Sequence, residues 1–168
     1  MMSRALEFKI EEGYVPGSIG RISELHGAYY HEHWGFGVYF EAKVATELSE
    51  FLRRYDGNRD GIWIPLVNGR VEGSIVIDGI HADKEGAHLR WFILSDALRG
   101  KGVGKTLMSI AMEFCRSKGY QKVYLWTFEG LHAARHLYEE AGFRLVKQQK
   151  GIQWGTEVNE QYFELRNE

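Results

Sequence analysis

The residues best placed to do chemistry lie between Leu94 and Met108, in the run Leu-Ser-Asp-Ala-Leu-Arg-Gly-Lys-Gly-Val-Gly-Lys-Thr-Leu-Met. Gly100, Gly102 and Gly104 alternate there among Arg99, Lys101 and Lys105. Glycines let backbone N–H groups come close to a ligand, and the start of a helix leaves several such groups without partners. The helix dipole adds positive potential at the same place, so basic side chains there oppose stability unless an anion docks among them. The pattern implies a site for a phosphate-bearing ligand. The plain alternative is a glycine-rich turn that caps a helix.

Spacing narrows the ligand. Gly104-Lys105-Thr106 supplies the end of a G-x-x-x-x-G-K-[ST] loop, but its first glycine would fall on Arg99. The later strand pattern, Lys122 to Phe128, offers no Asp for magnesium, so a kinase-type site is disfavoured. The dinucleotide pattern G-x-G-x-x-G fails as well, because the glycines read G-x-G-x-G. Arg99-Gly-Lys-Gly102-Val-Gly104 does satisfy [RQ]-x-x-G-x-[GA], which resembles the pyrophosphate signature of the GNAT superfamily of N-acetyltransferases. A second stretch, Leu131-His-Ala-Ala134-Arg-His-Leu137-Tyr138-Glu-Glu-Ala-Gly142-Phe143, resembles that superfamily's N-x-x-A-x-x-L-Y-x-x-x-G-F. A plain glycine turn does not predict this second motif. Leu131 departs from the pattern's Asn, so any cofactor contact made by that Asn falls to another residue, with Thr127 the candidate. The chain is also similar to acetyltransferase domains found behind MarR-type winged-helix regulators, through Tyr-Tyr-His-Glu-His-Trp-Gly35, Leu89-Arg-Trp-Phe-Ile-Leu94 and His132-Ala-Ala-Arg-His-Leu-Tyr138.

The resemblance implies an acetyl-coenzyme A-dependent N-acyltransferase acting on a primary amine of a small molecule, with a peptide or protein acceptor as a variant. A non-catalytic acetyl-coenzyme A sensor is the rival from another class. Phe92, Ile93 and Leu94 would pair with the pantetheine arm, and Arg99, Gly100, Lys101, Gly102, Val103, Gly104, Lys105 and Thr106 would take the pyrophosphate. A backbone N–H near Leu94 would hold the oxyanion, and Tyr138 would protonate the departing thiolate. Arg135, on a more polar face, is either a phosphate contact or a solvated arginine. Tyr29, Tyr30 and Trp34 line an acceptor pocket or else pack helices together. Arg90 reads an acceptor carboxylate or pairs with an internal one such as Glu41. Glu32, Glu41 and His88 are the candidate bases. His132 and His136 have i,i+4 spacing, but Ala133 stands where H-E-x-x-H needs its glutamate, so no metal is expected.

Composition sets the frame. The chain has 168 residues, 44% hydrophobic and 26% charged, with a net charge of −2. That suits one globular domain over residues 1–168, with no nucleic-acid partner expected and no stretch able to span a membrane. Cys115 is the single cysteine, which excludes an intramolecular disulfide and gives a cytoplasmic default. A homodimer is left open.

The elements that would position the motifs follow from periodicity. Leu6, Phe8 and Ile10 alternate with charges as a first strand. Helices are expected from Ser18 to about Trp34, burying Ile22, Leu25, Ala28 and Tyr29, and from about Val38 to Tyr55, burying Ala42, Ala45, Leu48 and Leu52. Asn68-Gly69 between Ile62–Val67 and Arg70–Ile77 predicts a hairpin, with an edge or bulge at Pro65. A strand His88–Leu94, a helix from Val103 to Gly119, a strand Lys122–Thr127, a helix Leu131–Ala141 and strands Arg144–Gln149 and Gln161–Leu165 complete a GNAT-type α/β fold. Its sheet is mixed, mostly antiparallel and of about seven strands, with helices on both faces. Parity puts Arg90 on the same face as Phe92 and Leu94.

Overall fold

Asn68 and Gly69 take φ of 52° and 77°, the left-handed pair that joins two right-twisted strands through a two-residue turn. Around this hairpin the computed structural model, which describes residues 7–167, builds one eight-stranded sheet. The elements are β1 Lys9–Glu12, α1 Ser18–Trp34, α2 Val38–Arg53, β2 Gly61–Val67, β3 Arg70–Val71, β4 Gly73–Asp78, β5 Ala87–Leu94, α3 Val103–Ser117, β6 Lys122–Phe128, α4 His132–Ala141, β7 Arg144–Gly151 and β8 Val158–Arg166. Leu6 lies outside the described residues. The order across the sheet is β1-β2-β4-β5-β6-β8-β7, with β3 on β2. Every pairing is antiparallel except β5 with β6. Helices α3 and α4 cover one face around Leu107, Ala111 and Phe163; α1 and α2 cover the other around Ile22, Leu48 and Phe51. Among the described residues no helix is long and apolar enough to cross a membrane.

Two bulges near the site, besides one at Leu145–Lys147 in β7, account for departures from plain alternation. Trp63 opposes Ile75 while Leu66 opposes Val71, so the second arm of the hairpin carries one extra residue and splits into β3 and β4. Pro65, which lacks an N–H, sits at that break and accepts a bond from the Glu72 N–H at 2.9 Å. The eighth strand arises here. In β5, Ser74 opposes Ile93 but Val76 opposes Arg90, which inserts a residue at Trp91. Its φ is 44°, and Ser74 Oγ donates to its carbonyl at 2.6 Å.

The second bulge corrects the parity argument. Ala87 and Leu89 pack on the α3 side, and so do Phe92 and Leu94 after the extra residue. Arg90 and Trp91 face α2 instead, with Arg90 bonded to Glu47 and Trp91 against Phe51. Arg90 is therefore opposite Phe92 and Leu94, not beside them.

The two N-terminal helices bury Ile22 and Leu48 as expected, but on stripes otherwise shifted from the expected ones. In α2 the buried residues are Phe40, Val44, Leu48 and Phe51; Ala42 is exposed, because larger rings gain more from burial than alanines do. In α1 they are Ser18, Ile22, Ser23, His26 and Gly27, whereas Ala28 is exposed. Small residues face α2 where the helices meet closely: a Cβ on Gly27 would lie 2.3 Å from Glu41 Oε1. Cys115, on the inner face of α3, is fully buried.

At Gly73 a Cβ would sit 2.5 Å from the Ile93 carbonyl oxygen, a backbone atom that cannot yield without moving β5. Gly20, in α1, has open space and no left-handed φ. Urea unfolding of Gly73→Ala should show a loss of about 1–3 kcal/mol, and Gly20→Ala a gain of roughly 0.5–1 kcal/mol. A Gly73→Ala protein as stable as wild type would contradict the tight β4–β5 approach.

Candidate active site

Strands β5 and β6 run parallel but share only the pairs Ala87–Val123 and His88–Tyr124. Beyond His88 they part, since β5 stays on β4 and β6 stays on β8 along its whole length. The gap opens on one side toward the glycine loop and on the other toward α1 and α2.

On the loop side lies a groove of about 390 Å³. Phe92, Ile93, Leu94, Arg99, Gly100, Gly102, Val103, Gly104 and Lys105 line it. Gly100 and Gly102 hold φ of 73° and 79°, with nothing within 4 Å of where a Cβ would stand. A side chain there would be conformationally strained and would fill that open space. The backbone N–H groups from Gly100 through Lys105 donate to no protein acceptor among the described residues, and the first closed turn of α3 is Thr106 N–H to the Gly102 carbonyl at 3.2 Å. These donors sit at the positive end of a fifteen-residue helix, a ready anion cradle. Arg99 caps the loop: it bonds the Leu94 carbonyl at 3.1 Å and lies over the Tyr29 ring at 4.4 Å. Lys105 pairs with Glu140 at 3.1 Å. Lys101 and Thr106 are exposed and stand outside the groove wall, Thr106 Oγ1 bonding the Gly102 carbonyl.

On the helix side is a second cavity of about 180 Å³. His26, Lys43, Glu47, His88, Arg90 and Thr127 supply much of its polar lining, and Trp91, Trp126 and Trp154 its broadest walls. The two cavities share Tyr30, Phe92, Leu131 and Tyr138. Tyr138 is 7% exposed, and burial raises its phenol well above the usual tyrosine range. Burial, reinforced by the neighbouring Tyr138, does the same to Tyr30. Both hydroxyls keep their protons at neutral pH and can act as donors, not bases.

The other expected site residues fall in varied places. Tyr29 lines the loop groove, not the helix-side cavity. Trp34 lines neither; it stacks edge-on against Phe128 at 4.9 Å and covers Gly130. Arg135 pairs with Glu139 at 2.8 Å and stands outside the groove lining. Arg90 pairs not with Glu41 but with Glu47 at 2.6 Å and Asp78 at 3.4 Å, while stacking on Trp91 at 4.1 Å. Of the candidate bases only His88 reaches the helix-side cavity; Glu32 and Glu41 lie on other surfaces.

His26, Lys43, Glu47, Gln153 and Trp154 line the same cavity, yet no sequence motif marks them. His26 Nδ1 lies 2.8 Å from the Ile22 carbonyl, which only accepts, so Nδ1 carries the proton and Nε2 keeps a lone pair. Burial lowers the His26 pKa to about 4. Burial, then the Arg90 charge, lowers that of His88 to about 3. Both imidazoles are neutral at neutral pH.

Comparison with known proteins now bears on this geometry. A family model described as "Acetyltransferase (GNAT) family" matches residues 21–143. The chain belongs to this family. GNAT proteins are N-acetyltransferases that use acetyl-coenzyme A. N-acetylaspartate synthetase of Danio rerio is 31% identical over 124 residues, covering 73% of this chain and 44% of that protein. The chain spans less than half the length of the N-acetylaspartate synthetases it matches. The uncharacterized N-acetyltransferase YjgM of Escherichia coli is 31% identical over 100 residues, 59% of this chain and 60% of its own. Among solved structures, a GNAT acetyltransferase from Staphylococcus aureus Mu50 superposes with a TM-score of 0.76 at 17% identity, covering 95% of this chain and 99% of that one. The yncA protein of Salmonella typhimurium, solved with acetyl-coenzyme A, gives 0.70 at 16% identity, covering 95% and 93%. These likenesses establish the GNAT fold. The unpaired N–H row and the open faces of Gly100 and Gly102 fit a pyrophosphate.

The buried histidine has a measurable signature. His26 ionises at about 4 in the folded state against 6.5 unfolded, so the unfolded chain binds more protons between those values. Stability is full above 6.5 and falls as pH drops toward about 4, by on the order of 3 kcal/mol from this residue. Urea midpoints measured through this window should show the loss in wild type and a shallower slope in His26→Gln. Equal slopes would place the titration elsewhere.

Proposed function

We propose that this chain transfers the acetyl group of acetyl-coenzyme A to a primary amine of a small molecule by direct attack of the neutral amine on the thioester. In this reading the N–H row from Gly100 to Lys105 holds the pyrophosphate, with Arg99, Lys101, Lys105 and Thr106 around it. The backbone of Phe92 to Leu94 takes the pantetheine arm, and the acceptor occupies the helix-side cavity. Tyr138, proton-bearing at neutral pH, gives its proton to the departing thiolate and is restored by the proton that the attacking nitrogen sheds, and a backbone N–H near Leu94 steadies the oxyanion. The observation that carries the reading is that Tyr138 stands in the wall common to both cavities, where a thioester from one side and an amine from the other would meet. A cavity of about 180 Å³ favours a small acceptor over a long peptide. A cytoplasmic setting, where acyl-thioesters are available, goes with it.

Release of free thiol from acetyl-coenzyme A across an amine panel tests the activity; coenzyme A binding without turnover on any amine would leave a sensor instead. Coenzyme A should also raise Tm, by the equivalent of about 2.7 kcal/mol at a hundredfold excess over Kd, and Gly102→Glu should abolish the shift. A folded variant that responds like wild type would remove the loop from the site.

Tyr138→Phe keeps the ring and removes the proton. It should lower kcat by roughly 10²- to 10⁴-fold, with a smaller effect on coenzyme A affinity. Unchanged kcat where chemistry limits the rate would reduce Tyr138 to packing.

A further inference from the structure

The floor of the helix-side cavity carries a chain of ion pairs whose charges do not cancel. Arg54 grips Asp78 with both arms, at 3.0 and 2.7 Å. Asp78 touches Arg90 more distantly, at 3.4 Å. Arg90 binds Glu47 Oε1 at 2.6 Å, and Lys43 binds Glu47 Oε2 at 2.8 Å. Among the described residues Lys43, Arg90 and Arg54 thus form ion pairs only with Glu47 and Asp78. The neighbouring Arg59–Asp60 pair, at 2.9 Å, is neutral in itself. With Asp78 satisfied by Arg54, one positive charge is left over at the Lys43–Arg90 end.

That end is the one inside the cavity. Lys43, Glu47 and Arg90 all line it, while Arg54 does not. The Arg90 side chain is 18% exposed and that of Lys43 33%. An uncompensated cation so confined is costly, and an anion from outside would relieve it. Lys43 retains spare N–H donors, and so does Arg90, whose Nε makes no bond among the described residues. Neither His26 nor His88 adds charge, since both imidazoles are neutral.

The rest of the wall is of another kind. Trp91, Trp126, Trp154 and Phe40 offer flat apolar surface, which a compact polar amine would leave uncovered. Two carboxylates, as in an acidic amino acid, would overcharge a floor with a single cation to spare.

We infer that the acceptor is an amine bearing one carboxylate and an apolar or aromatic body, an α-amino acid of that type, with Lys43 and Arg90 reading the carboxylate and the tryptophans receiving the body. This deepens the acetyl-transfer reading and rests on it for the reaction, but the carboxylate site itself can be read by binding alone.

The test is a matched set: phenylalanine, phenylalaninamide, phenethylamine and aspartate, each assayed for thiol release from acetyl-coenzyme A and compared per neutral amine. kcat/KM for phenylalanine should exceed that for each of the others by about tenfold or more. Lys43→Met should collapse that preference, and Lys43→Arg should keep it. In parallel, phenylalanine added to the coenzyme A-loaded protein should change the fluorescence of the cavity tryptophans, and phenethylamine should do so only at much higher concentration. Equal rates or equal binding for phenylalanine and its amide or decarboxylated form would overturn the carboxylate site. Equal preference for aspartate would overturn the single-charge argument. Absence of turnover on every amine would bring down the acetyl-transfer reading, while the fluorescence titration would still decide the carboxylate site.

Discussion

The parting of β5 from β6 after His88 is the constraint on which the rest of the molecule depends. Two adjacent parallel strands would ordinarily close their ladder, because unpaired buried backbone groups are costly. Here each strand is committed to its other neighbour: β6 is registered to β8 from Lys122 to Phe128, and β5 to β4. The bulge at Trp91 seals the arrangement. It puts a non-glycine residue at φ 44°, a conformation that costs on the order of 1–3 kcal/mol and persists only where surroundings enforce it. The Ser74 hydroxyl on the Trp91 carbonyl and the packing of Phe51 on its ring supply that enforcement. The opening is therefore a rigid property of the sheet.

Through that opening the two faces of the sheet, which carry separate cores, are brought into one functional volume. The side with α3 contributes backbone donors and a helix dipole, a field that needs no particular side chain. The side with α2 contributes a string of charged side chains, each fixed by its neighbour. The bulge is also what returns Phe92 and Leu94 to the α3 side, since an uninterrupted strand would have turned them toward α2 with Arg90. One inserted residue thus lets a single strand serve the groove wall on one side and the charged floor on the other.

What could be read from the sequence divides along the same line. The glycine loop, Asn68-Gly69 and the motif around Tyr138 were legible because each requires particular residue types at fixed spacing, and local backbone geometry follows from them. The class of fold followed from those signals and from strand and helix order, with the split hairpin foreshadowed by Pro65. The registers of the bulges were not legible, since Trp91 is no usual left-handed residue and nothing near it announces an insertion. Nor were the inward faces of α1 and α2, where the close approach at Gly27 and Glu41 overrode apolar periodicity and buried His26. Lys43 and Glu47 read as an ordinary i,i+4 surface pair on a helix. Only the distant Arg90, brought across by the sheet, turns them into part of a cavity floor.

Cys115 bears on the chemistry of this family through its place in the core. It is the chain's one sulfhydryl, fully enclosed on the inner side of α3, and burial pushes its pKa up to about 12. At neutral pH it offers essentially no thiolate and no approach for a partner sulfur. A protein that works beside coenzyme A thiols is thereby kept from mixed disulfides and from capturing an acyl group on its own sulfur. The burial that fills the core also takes the chain's thiol out of exchange.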